Sequence, residues 1–426
     1  MNQNKTTAIS TLRDQYENYP YPDRRAADEK KRLITGSPGI LNEINHYLFG
    51  GQRDFSKPFR VLFAGGGTGD GTIMLAQQLA DAREAGWITG EATVHYLDLS
   101  QKARETAEAR AKARGLTNIT FHTGSLLELP TMGLGEFDYI DCCGVLHHLP
   151  EPGEGLKALE AVLAPRGGIG IMVYGALGRS GLYPMQDALR RLTSGLPDLK
   201  DRVVLAKRVL ADLPDTNGFK RNPFLNDHRE SDAGLVDLLL HSCDRAYRVE
   251  QLYDLAQSAE LQITSFVDPI RYRPETYTKD PKVRAAFAGL DRQQSESLAE
   301  ELAGNLKVHI AYLTRQDDRA SSGVARPEDD MLPVLRDMEA AQLGAFCKKN
   351  RKFPASADGL KLSLPLPRLA GAIAERCTGQ MTVGEILVEL QELDPRLDRS
   401  TFDQQFREFF DILNGINRLY LRRREI

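Results

Sequence analysis

The chain has 426 residues, with 55 basic and 59 acidic side chains and a formal net charge of -4. This length exceeds what one hydrophobic core usually supports, so we expect about two or three domains. The balanced charge predicts no general attraction to nucleic acid or to an anionic membrane surface.

Cysteine usage and hydropathy bear on the compartment of the chain. Five cysteines, an odd number without metal-ligand spacing, occur at Cys142, Cys143, Cys243, Cys347 and Cys377. The adjacent pair is expected to be small core residues rather than a redox site, and we predict no metal centre. The first residues are polar, unlike a signal peptide, and no apolar run approaches the roughly 20 residues of a membrane helix. We therefore expect a cytoplasmic protein without a membrane partner.

Residues 1–57 precede the first strand pattern and contain YENYPYP, from Tyr16 to Pro22. Prolines that alternate with tyrosines do not form a regular helix, because proline lacks a backbone N–H. We expect an extended strap that carries amphipathic rings, with Tyr16, Tyr19 and Tyr21 as candidate lid residues over a site. The alternative is that Tyr19 and Tyr21 only pack the strap onto the sheet.

The most informative motif is VLFAGGGTGD, which runs from Val61 to Asp70. A hydrophobic run ends in glycines at alternate positions, Gly65, Gly67 and Gly69, just before a helix pattern. Glycines let the chain turn tightly after a strand and approach a ligand without a Cβ in the way. Taken alone, the three glycines also fit an ordinary turn beside a core strand.

Further strand patterns follow the glycine loop in order. Val94 to Leu97 is apolar and ends in Asp98, where a carboxylate can accept hydrogen bonds from both hydroxyls of a ribose. The later patterns are Ile119–Thr123, then FDYIDCCGVLHHLPEP from Phe137 to Pro152, then VLAPRGGIGIMVYG from Val162 to Gly175.

This succession closely resembles the class I S-adenosylmethionine-dependent methyltransferases over residues 58–315. The resemblance implies a Rossmann-like seven-stranded α/β sheet that binds S-adenosylmethionine. It places the last helix and the sixth strand within Tyr247–Pro269 and the antiparallel seventh strand at Leu306–Arg315. The cofactor-binding residues that it implies are Gly65, Gly67, Gly69, Asp98, Leu99, Ser125, Leu126, Cys143 and Gly144. A dehydrogenase is the natural rival for a glycine loop, but it explains neither VLHHLP nor the APRGG turn. A similar Tyr and Pro-Tyr-Pro arrangement precedes the glycine loop in several methyltransferase groups, including bacterial protein-lysine methyltransferases.

Two positions depart from the family pattern. Phe63 stands where the first motif usually has an acidic residue, so another group must hold the ammonium of the cofactor. Ser125 stands where an aspartate commonly meets the adenine amino group, although its hydroxyl or a backbone carbonyl could accept that proton.

The candidate catalytic residues are histidines. His147 and His148 lie in the motif after the fourth strand, and one of them is expected near the sulfonium. A helical insert over about 176–246 is expected to cover the acceptor pocket, and its polar loop Lys220–Glu230 contains His228. Each histidine could act as a general base, or pack or cap the structure instead. A base is needed only if the acceptor must lose a proton.

The C-terminal part predicts a separate α+β module. Residues 316–330 have the composition of an exposed linker, and residues 331–426 show helix patterns followed by a strand-like end. Thr382 and Glu385 form a candidate capping box. The pattern suggests a winged-helix-like domain and weakly resembles peptide-chaperone domains of the PqqD type, which implies peptide docking or a homodimer. Four arginines near the end are the only support for binding DNA.

The sequence leaves the methyl acceptor open. One hypothesis is a small-molecule acceptor in a pocket closed by strap and insert. A second is a protein or peptide acceptor held by the C-terminal module. A third is a non-catalytic protein that binds the cofactor or docks a partner.

Overall fold

The central element is a seven-stranded sheet in a computed structural model that describes residue 13, residues 16–318 and residues 323–424. Its strands are β1 (Phe59–Ala64), β2 (Ala92–Asp98), β3 (Ile119–Thr123), β4 (Phe137–Cys143), β5 (Leu163–Tyr174), β6 (Leu261–Phe266) and β7 (Val308–Arg315). They lie in the order β3-β2-β1-β4-β5-β7-β6. Strands β1 to β5 pair in parallel, and β7 is antiparallel to both β5 and β6. The Rossmann-like seven-stranded sheet is thus confirmed.

Both faces of the sheet are buried at β1, which is apolar and buried from Val61 to Ala64. Val61 and Phe63 join one apolar cluster, whereas Leu62 and Ala64 join the other, as expected for side chains that alternate across a strand. The helices packed around this sheet are α1 (Leu41–Leu48), α2 (Asp70–Glu84), α3 (Gln101–Arg114) and α4 (Pro152–Glu160). Short 3-10 helices cover Ala26–Lys30, Leu126–Thr131 and Leu146–His148.

A helical insert follows β5, as the sequence predicts. It contains α5 (Leu182–Leu192), α6 (Leu199–Ala211), α7 (Gly218–Arg221), α8 (Asp227–Glu230) and α9 (Asp232–Leu239). The helices share an apolar cluster of their own that includes Leu189, Val203 and Leu235. The segment Lys220–Glu230, expected as a loop, contains the end of α7 and the whole of α8.

The chain then returns to the sheet. Before β6 lies α10 (Val249–Gln257), and between β6 and β7 lie 3-10 helices at Pro269–Tyr272 and Pro274–Tyr277, then α11 (Pro281–Ala285) and α12 (Arg292–Ala303). A last 3-10 helix, Gln316–Asp318, follows β7. No helix within the described ranges is long and apolar enough to cross a membrane.

The C-terminal module has its own apolar core. Its elements are β8 (Met331–Leu335), α13 (Ala340–Lys349), β9 (Lys352–Ala357), β10 (Leu360–Pro365), α14 (Ala370–Ala374), α15 (Val383–Leu393), α16 (Arg399–Gly415) and β11 (Leu419–Arg423). The capping box at Thr382 and Glu385 is present at the start of α15. The strand β11 after the last helix pairs with β8, which precedes the helices, and the β9–β10 hairpin lies between α13 and α14. The strand expected as a wing therefore closes a two-stranded sheet with the start of the module.

A buried carboxylate joins this module to the sheet. Glu43 on α1 is fully buried, and it accepts hydrogen bonds from Tyr312 on β7 at 2.7 Å and from Tyr420 on β11 at 2.9 Å. Asn417 donates to the same carboxylate at 2.8 Å, and Arg336 pairs with it at 3.3 Å. The α1 helix thus belongs to the shared core rather than to a lid.

The segment between sheet and module, expected as an exposed linker, is attached to both: the carbonyl of Asp329 accepts from the N–H of Gly384 in the module at 2.9 Å. Ala325 is buried, and its N–H donates to the carbonyl of His46 on α1 at 2.8 Å. The prediction for residues 319–322 lies outside the described residues, and most of residues 323–330 are exposed.

Candidate active site

A cavity of about 430 Å³ lies at the carboxyl ends of the parallel strands. In open α/β sheets this crevice is the usual ligand site, because the loops that leave the strands meet there. The strap, the glycine loop, the ends of β2, β4 and β5, and the insert all supply lining residues. Of the predicted cofactor-binding residues, those that line it are Gly65, Gly67, Asp98, Leu99, Ser125, Leu126, Cys143 and Gly144.

The glycine loop is shaped by close approaches. Gly65 has φ of 87°, and a Cβ added there would lie 2.2 Å from Cγ2 of Val145. Gly67 is also left-handed, with φ of 52°. Gly69 does not line the cavity; with φ of 99° it is the residue before α2, where a left-handed conformation suits glycine. Its role is thus to start the helix behind the loop.

Asp98 fixes the loop from the end of β2. Its carboxylate accepts hydrogen bonds from the backbone N–H of Gly67 at 2.8 Å and of Ser100 at 2.9 Å. Burial raises the pKa of Asp98, and the backbone donors partly oppose that shift. Its position on the cavity wall leaves its remaining lone pairs able to accept from hydroxyl groups of a ligand.

Ser125 uses its side chain to cap a 3-10 helix. Its hydroxyl accepts from the N–H of Leu127 at 3.3 Å, while its own N–H donates to Glu128 at 3.2 Å. Leu126 and Ser125 line the cavity next to this turn. The serine therefore stands at the predicted adenine end with its hydroxyl already engaged.

Asp141 is a site residue that the sequence analysis missed. It lies on β4 directly beside Phe63 of β1, lines the cavity and is buried. The hydroxyl of Tyr139 donates to it at 3.0 Å, and no described residue forms an ion pair with it. Burial raises the pKa of Asp141 to about 7. An acidic residue in an otherwise apolar strand was the signal for it.

Asp70 also lines the cavity, but cations already surround it. Arg24 of the strap pairs with it at 2.9 Å, and Arg110 of α3 pairs with it at 2.7 Å. Of the two carboxylates near Phe63, Asp141 is therefore the one free of ion pairs with the described residues.

The strap covers the glycine loop. The hydroxyl of Thr68 donates to the carbonyl of Pro22 at 2.8 Å, and Glu29 pairs with Arg110 at 2.5 Å in a fully buried contact. Tyr16 and Tyr21 line the cavity. Tyr19 does not line it; its ring packs against the apolar cluster of the insert rather than onto the sheet.

The three candidate histidines lie in different places. His148 lines the cavity, and its Nδ1 lies 2.9 Å from the carbonyl oxygen of Cys243. His147 is fully buried behind it, with its ring 3.8 Å from that of Tyr174, and burial lowers its pKa well below the usual value. His228 lies on α8 against Phe219, outside the cavity lining. The segment predicted to hold a catalytic histidine therefore does not reach the cavity, because His228 packs against Phe219 within the insert.

Two residues of the insert reach the cavity region instead. Asp237 on α9 lines the cavity, and His241 lies just beyond the helix within 4.8 Å of both His148 and Asp237, measured between potential ligand atoms. Both are buried. A single acid and a single histidine within the apolar run GLVDLLLHS were the sequence signal that was missed.

Sequence comparisons identify the family. A family model described as a methyltransferase domain matches residues 62–169, which span β1 to β5. An uncharacterized protein from Synechococcus sp. is 30% identical over 323 residues, which cover 73% of this chain and 72% of that protein. The chain belongs to the class I S-adenosylmethionine-dependent methyltransferases. The dehydrogenase rival for the glycine loop is therefore not retained.

Other relatives are more distant. Demethylmenaquinone methyltransferase of Geobacillus stearothermophilus is 32% identical over 101 residues, 24% of this chain and 39% of that protein. The structure of PKMT2 from Rickettsia typhi in complex with AdoHcy aligns with a TM-score of 0.62 and 15% identity, over 92% of this chain and 77% of that one. At that identity the likeness shows a shared fold, and it extends beyond the sheet to most of the methyltransferase described here.

Proposed function

We propose that this methyltransferase transfers the methyl group of S-adenosylmethionine to a small-molecule acceptor that binds at the end of the cavity formed by His148 and Asp237. The observation that carries the proposal is the composition of the cavity wall. Strap, glycine loop, strand ends and insert line one cavity whose volume lies within the roughly 300–1,000 Å³ of small-molecule sites. None of the described residues from 323 to 424 lines it.

The residues of the cavity fit the cofactor. Asp98 would accept from the ribose hydroxyls, and Leu126 would contact the adenine, since Asp98 ends β2, Leu126 follows β3, and both line the cavity. Asp141 would hold the ammonium group, because it is a buried carboxylate beside Phe63, the position that lacks the usual acid. The bound cofactor supplies a methyl group on a sulfonium, which is a good leaving group, so positioning by the protein supplies most of the acceleration.

The strap would contribute by excluding water and by fixing the loop. Its contacts to Thr68, Asp70 and Arg110 lie along the glycine loop and its two neighbouring helices. A strap held in this way keeps the methyl donor and acceptor in one orientation.

A polypeptide acceptor is the second candidate, and one observation favours it. A groove of about 690 Å³ lies between the strap and the insert, and its lining includes Tyr19, Arg190 and His241. His241 also contacts Tyr16 of the cavity wall, at 3.3 Å from its hydroxyl. A side chain entering from this groove would approach the same end of the cavity.

Transfer of a labelled methyl group distinguishes the two. The purified chain is incubated with methyl-labelled S-adenosylmethionine and an extract of bacterial cells, and the products are separated by molecular weight. Label in the small-molecule fraction supports the proposal, and label in the protein fraction supports the polypeptide candidate. Absence of label from both fractions, with cofactor binding intact, would contradict both. An Asp98→Ala chain is the control for label that does not depend on the site.

A further inference from the structure

A cluster of five polar side chains lies where the cavity meets the insert; four of them line the cavity, and His241 contacts Tyr16 from outside the lining. Tyr16 comes from the strap, His148 from the turn after β4, Tyr174 from β5, and Asp237 and His241 from the end of the insert. All but Tyr16 and Tyr174 are buried, and those two are partly buried. One ligand atom each of His148, Asp237 and His241 lies within 4.8 Å of the other two. Side chains of these types and at these distances could bind a metal ion or transfer a proton.

The backbone of Cys243 fixes the proton positions on both histidines. Its carbonyl lies 2.9 Å from Nδ1 of His148, and a carbonyl can only accept, so that nitrogen carries a proton. Its N–H donates to Nδ1 of His241 at 3.1 Å, so that nitrogen carries none. Burial lowers the pKa of His241 well below the usual value, so its ring is neutral with the proton on Nε2. The unassigned nitrogen of the pair is Nε2 of His148.

The two tyrosines are committed as donors to Asp237. Tyr16 donates to one oxygen of the carboxylate at 3.3 Å, and Tyr174 donates to the other at 3.1 Å. Nε2–H of His241 donates in turn to the hydroxyl of Tyr16 at 3.3 Å. Burial raises the pKa of Asp237, while His148 lowers it. What remains toward the cavity is a set of lone pairs on Asp237, the tyrosine oxygens and His148.

This arrangement does not suit a metal ion. A histidine ligand donates its second N–H to a carbonyl or carboxylate, but Nδ1 of His241 accepts from a backbone N–H and Nε2 carries the proton. The rings of His148 and His241 are stacked, with centroids 3.8 Å apart and planes inclined by 21°. In-plane lone pairs of stacked rings run side by side and do not converge on one ion about 2.1 Å away.

Arg179 supports an ionised carboxylate in the cluster. Its guanidinium lies 3.5 Å from the ring centre of Tyr174 and pairs with Asp244 at 3.5 Å, and the residue is buried. Its positive charge lowers the pKa of Asp237, against the effect of burial. A proton added to His148 would thus lie close to the carboxyl group of Asp237, since potential ligand atoms of the two residues lie within 4.8 Å.

We propose that Nε2 of His148 takes the proton of the methyl acceptor during transfer, and that Asp237, oriented by Tyr16 and Tyr174, stabilises the resulting imidazolium. The proposal rests on the proposed methyl transfer. The acceptor heteroatom forms the new bond to the methyl carbon, the sulfur keeps the electron pair of the broken bond, and the proton moves from the heteroatom to Nε2. Nδ1 of His148 keeps its proton on the carbonyl of Cys243 throughout.

The same wall selects the chemical class of the acceptor. Because its groups accept hydrogen bonds, the acceptor must donate one, as an amine or a hydroxyl does. A carboxylate acceptor would face the carboxylate of Asp237 and would be repelled. The inferred acceptor is thus an N–H or O–H group, on either a small molecule or a side chain.

The proton positions are tested directly by long-range ¹H–¹⁵N spectra of the chain labelled at histidine, without any acceptor. Signals are assigned by comparison with His148→Gln and His241→Gln chains. We expect His148 with its proton on Nδ1 and His241 with its proton on Nε2. The opposite tautomer at His148 overturns the proposal. Zn²⁺ added to the sample should leave both spectra unchanged, and metal-induced shifts at both rings would instead establish a metal site.

Activity provides the second test. With labelled S-adenosylmethionine and cell extract, the initial rate should fall about 10²- to 10⁴-fold in His148→Gln, as expected for loss of a general base. In Asp237→Asn the rate should fall at least about tenfold. Calorimetric affinity for S-adenosylhomocysteine should stay within about twofold in both, which shows that the cavity is intact. His122→Gln, a half-buried histidine on β3 outside the cavity, is the matched control with unchanged rate.

The outcomes separate the two proposals. An active wild-type chain with an equally active His148→Gln contradicts the proton transfer alone. A wild-type chain that transfers no label contradicts the proposed function, and the proton transfer with it. Label found on carboxylate groups contradicts the inferred acceptor class. Loss of both cofactor affinity and rate in His148→Gln would assign the residue a structural role instead.

Discussion

At the scale of single residues, the cavity is defined by carboxylates on the strands either side of β1. Asp98 stands at the end of β2, and Asp141 lies on β4 beside Phe63. Asp141 is buried and Asp98 is partly buried, and removal from water raises the pKa of each. Burying an acid without a cation is costly, and a ligand that brings hydroxyls and an ammonium group relieves that cost.

Asp98→Ala should weaken binding of S-adenosylhomocysteine by about 1.5 to 3 kcal/mol, the usual value for hydrogen bonds to a charged group. The substitution also frees the backbone N–H groups of Gly67 and Ser100, so a loss of stability is expected alongside. Calorimetric titration and denaturant unfolding measure the two effects. Asp187→Ala, an exposed acid on α5, is the control. Wild-type affinity in a folded Asp98→Ala chain would remove Asp98 from the site.

We expect Asp141 to release a proton when the cofactor binds. Its pKa of about 7 in the free protein lies above the usual value, so it contributes stability that is full at low pH and is lost as the pH rises through about 7. A bound ammonium group favours the charged carboxylate and lowers this pKa, so binding near neutral pH should release a proton. Titrations in two buffers of different ionisation enthalpy count that proton.

The control for this prediction is Asp141→Asn, which should bind more weakly and without the proton release. Its unfolding free energy should also lose the fall between about pH 4 and 7 that the aspartate causes. Equal proton release in both chains would show that another group titrates.

At the scale of elements, the sequence predicts the order and direction of the strands well. Alternating and continuous apolar runs determine which segments enter a buried sheet. Such runs predict β3 at Ile119–Thr123 and the start of β4 at Phe137, as the structure has them. The glycine loop and Asp98 follow from the same local pattern. These features depend on residues close together in the chain.

The residues that the sequence analysis missed depend on distant segments. Asp141 matters because β4 pairs with β1 in a register that puts it beside Phe63. Asp237 and His241 matter because the insert folds back onto the turn after β4, and nothing local to the insert specifies that packing. The sequence predicts His228 instead, because clustered polar residues indicate a loop, whereas the insert buries Asp237 in an apolar helix.

The strap is expected to act through its ion pairs. Arg24→Ala removes the pair with Asp70, a partly buried contact worth up to ~1 kcal/mol, so cofactor affinity should fall by up to about fivefold. With saturating S-adenosylhomocysteine present, protease cleavage between Tyr16 and Pro22 should be faster in Arg24→Ala than in the wild type. Lys31→Ala removes an exposed pair with Asp28 and serves as the control. Unchanged affinity and cleavage in Arg24→Ala would show that the strap is held by packing alone.

At the scale of the whole molecule, sheet and C-terminal module share a core through α1. The carboxylate of Glu43 collects donors from both sides of that boundary, and His46 contacts Asn414 and the N–H of Leu421. Burial lowers the pKa of His46 to about 3, so this ring is neutral and serves as a hydrogen-bonding group. The module therefore stabilises the sheet through α1, and none of its described residues lines the cavity.

Glu43→Ala should destabilise the whole chain by about 3–5 kcal/mol, because it leaves Arg336 and three other buried donors without their shared acceptor. The free energy of unfolding in denaturant measures this, by probes in the sheet and in the module. Both probes should report the same shift. Asp394→Ala, which removes an exposed pair with Arg396, should change stability by less than about 1 kcal/mol. A shift confined to one probe would mean that the two parts unfold independently.

The central claim is that S-adenosylmethionine binds in this cavity with its sulfonium toward His148 and Asp237. A crystal structure of the chain with S-adenosylhomocysteine tests it most directly. We expect the ribose hydroxyls on Asp98, the ammonium group on Asp141, and the sulfur beside Gly144 facing the His148 and Asp237 wall. A nucleoside bound elsewhere, or a sulfur directed away from that wall, would contradict the account.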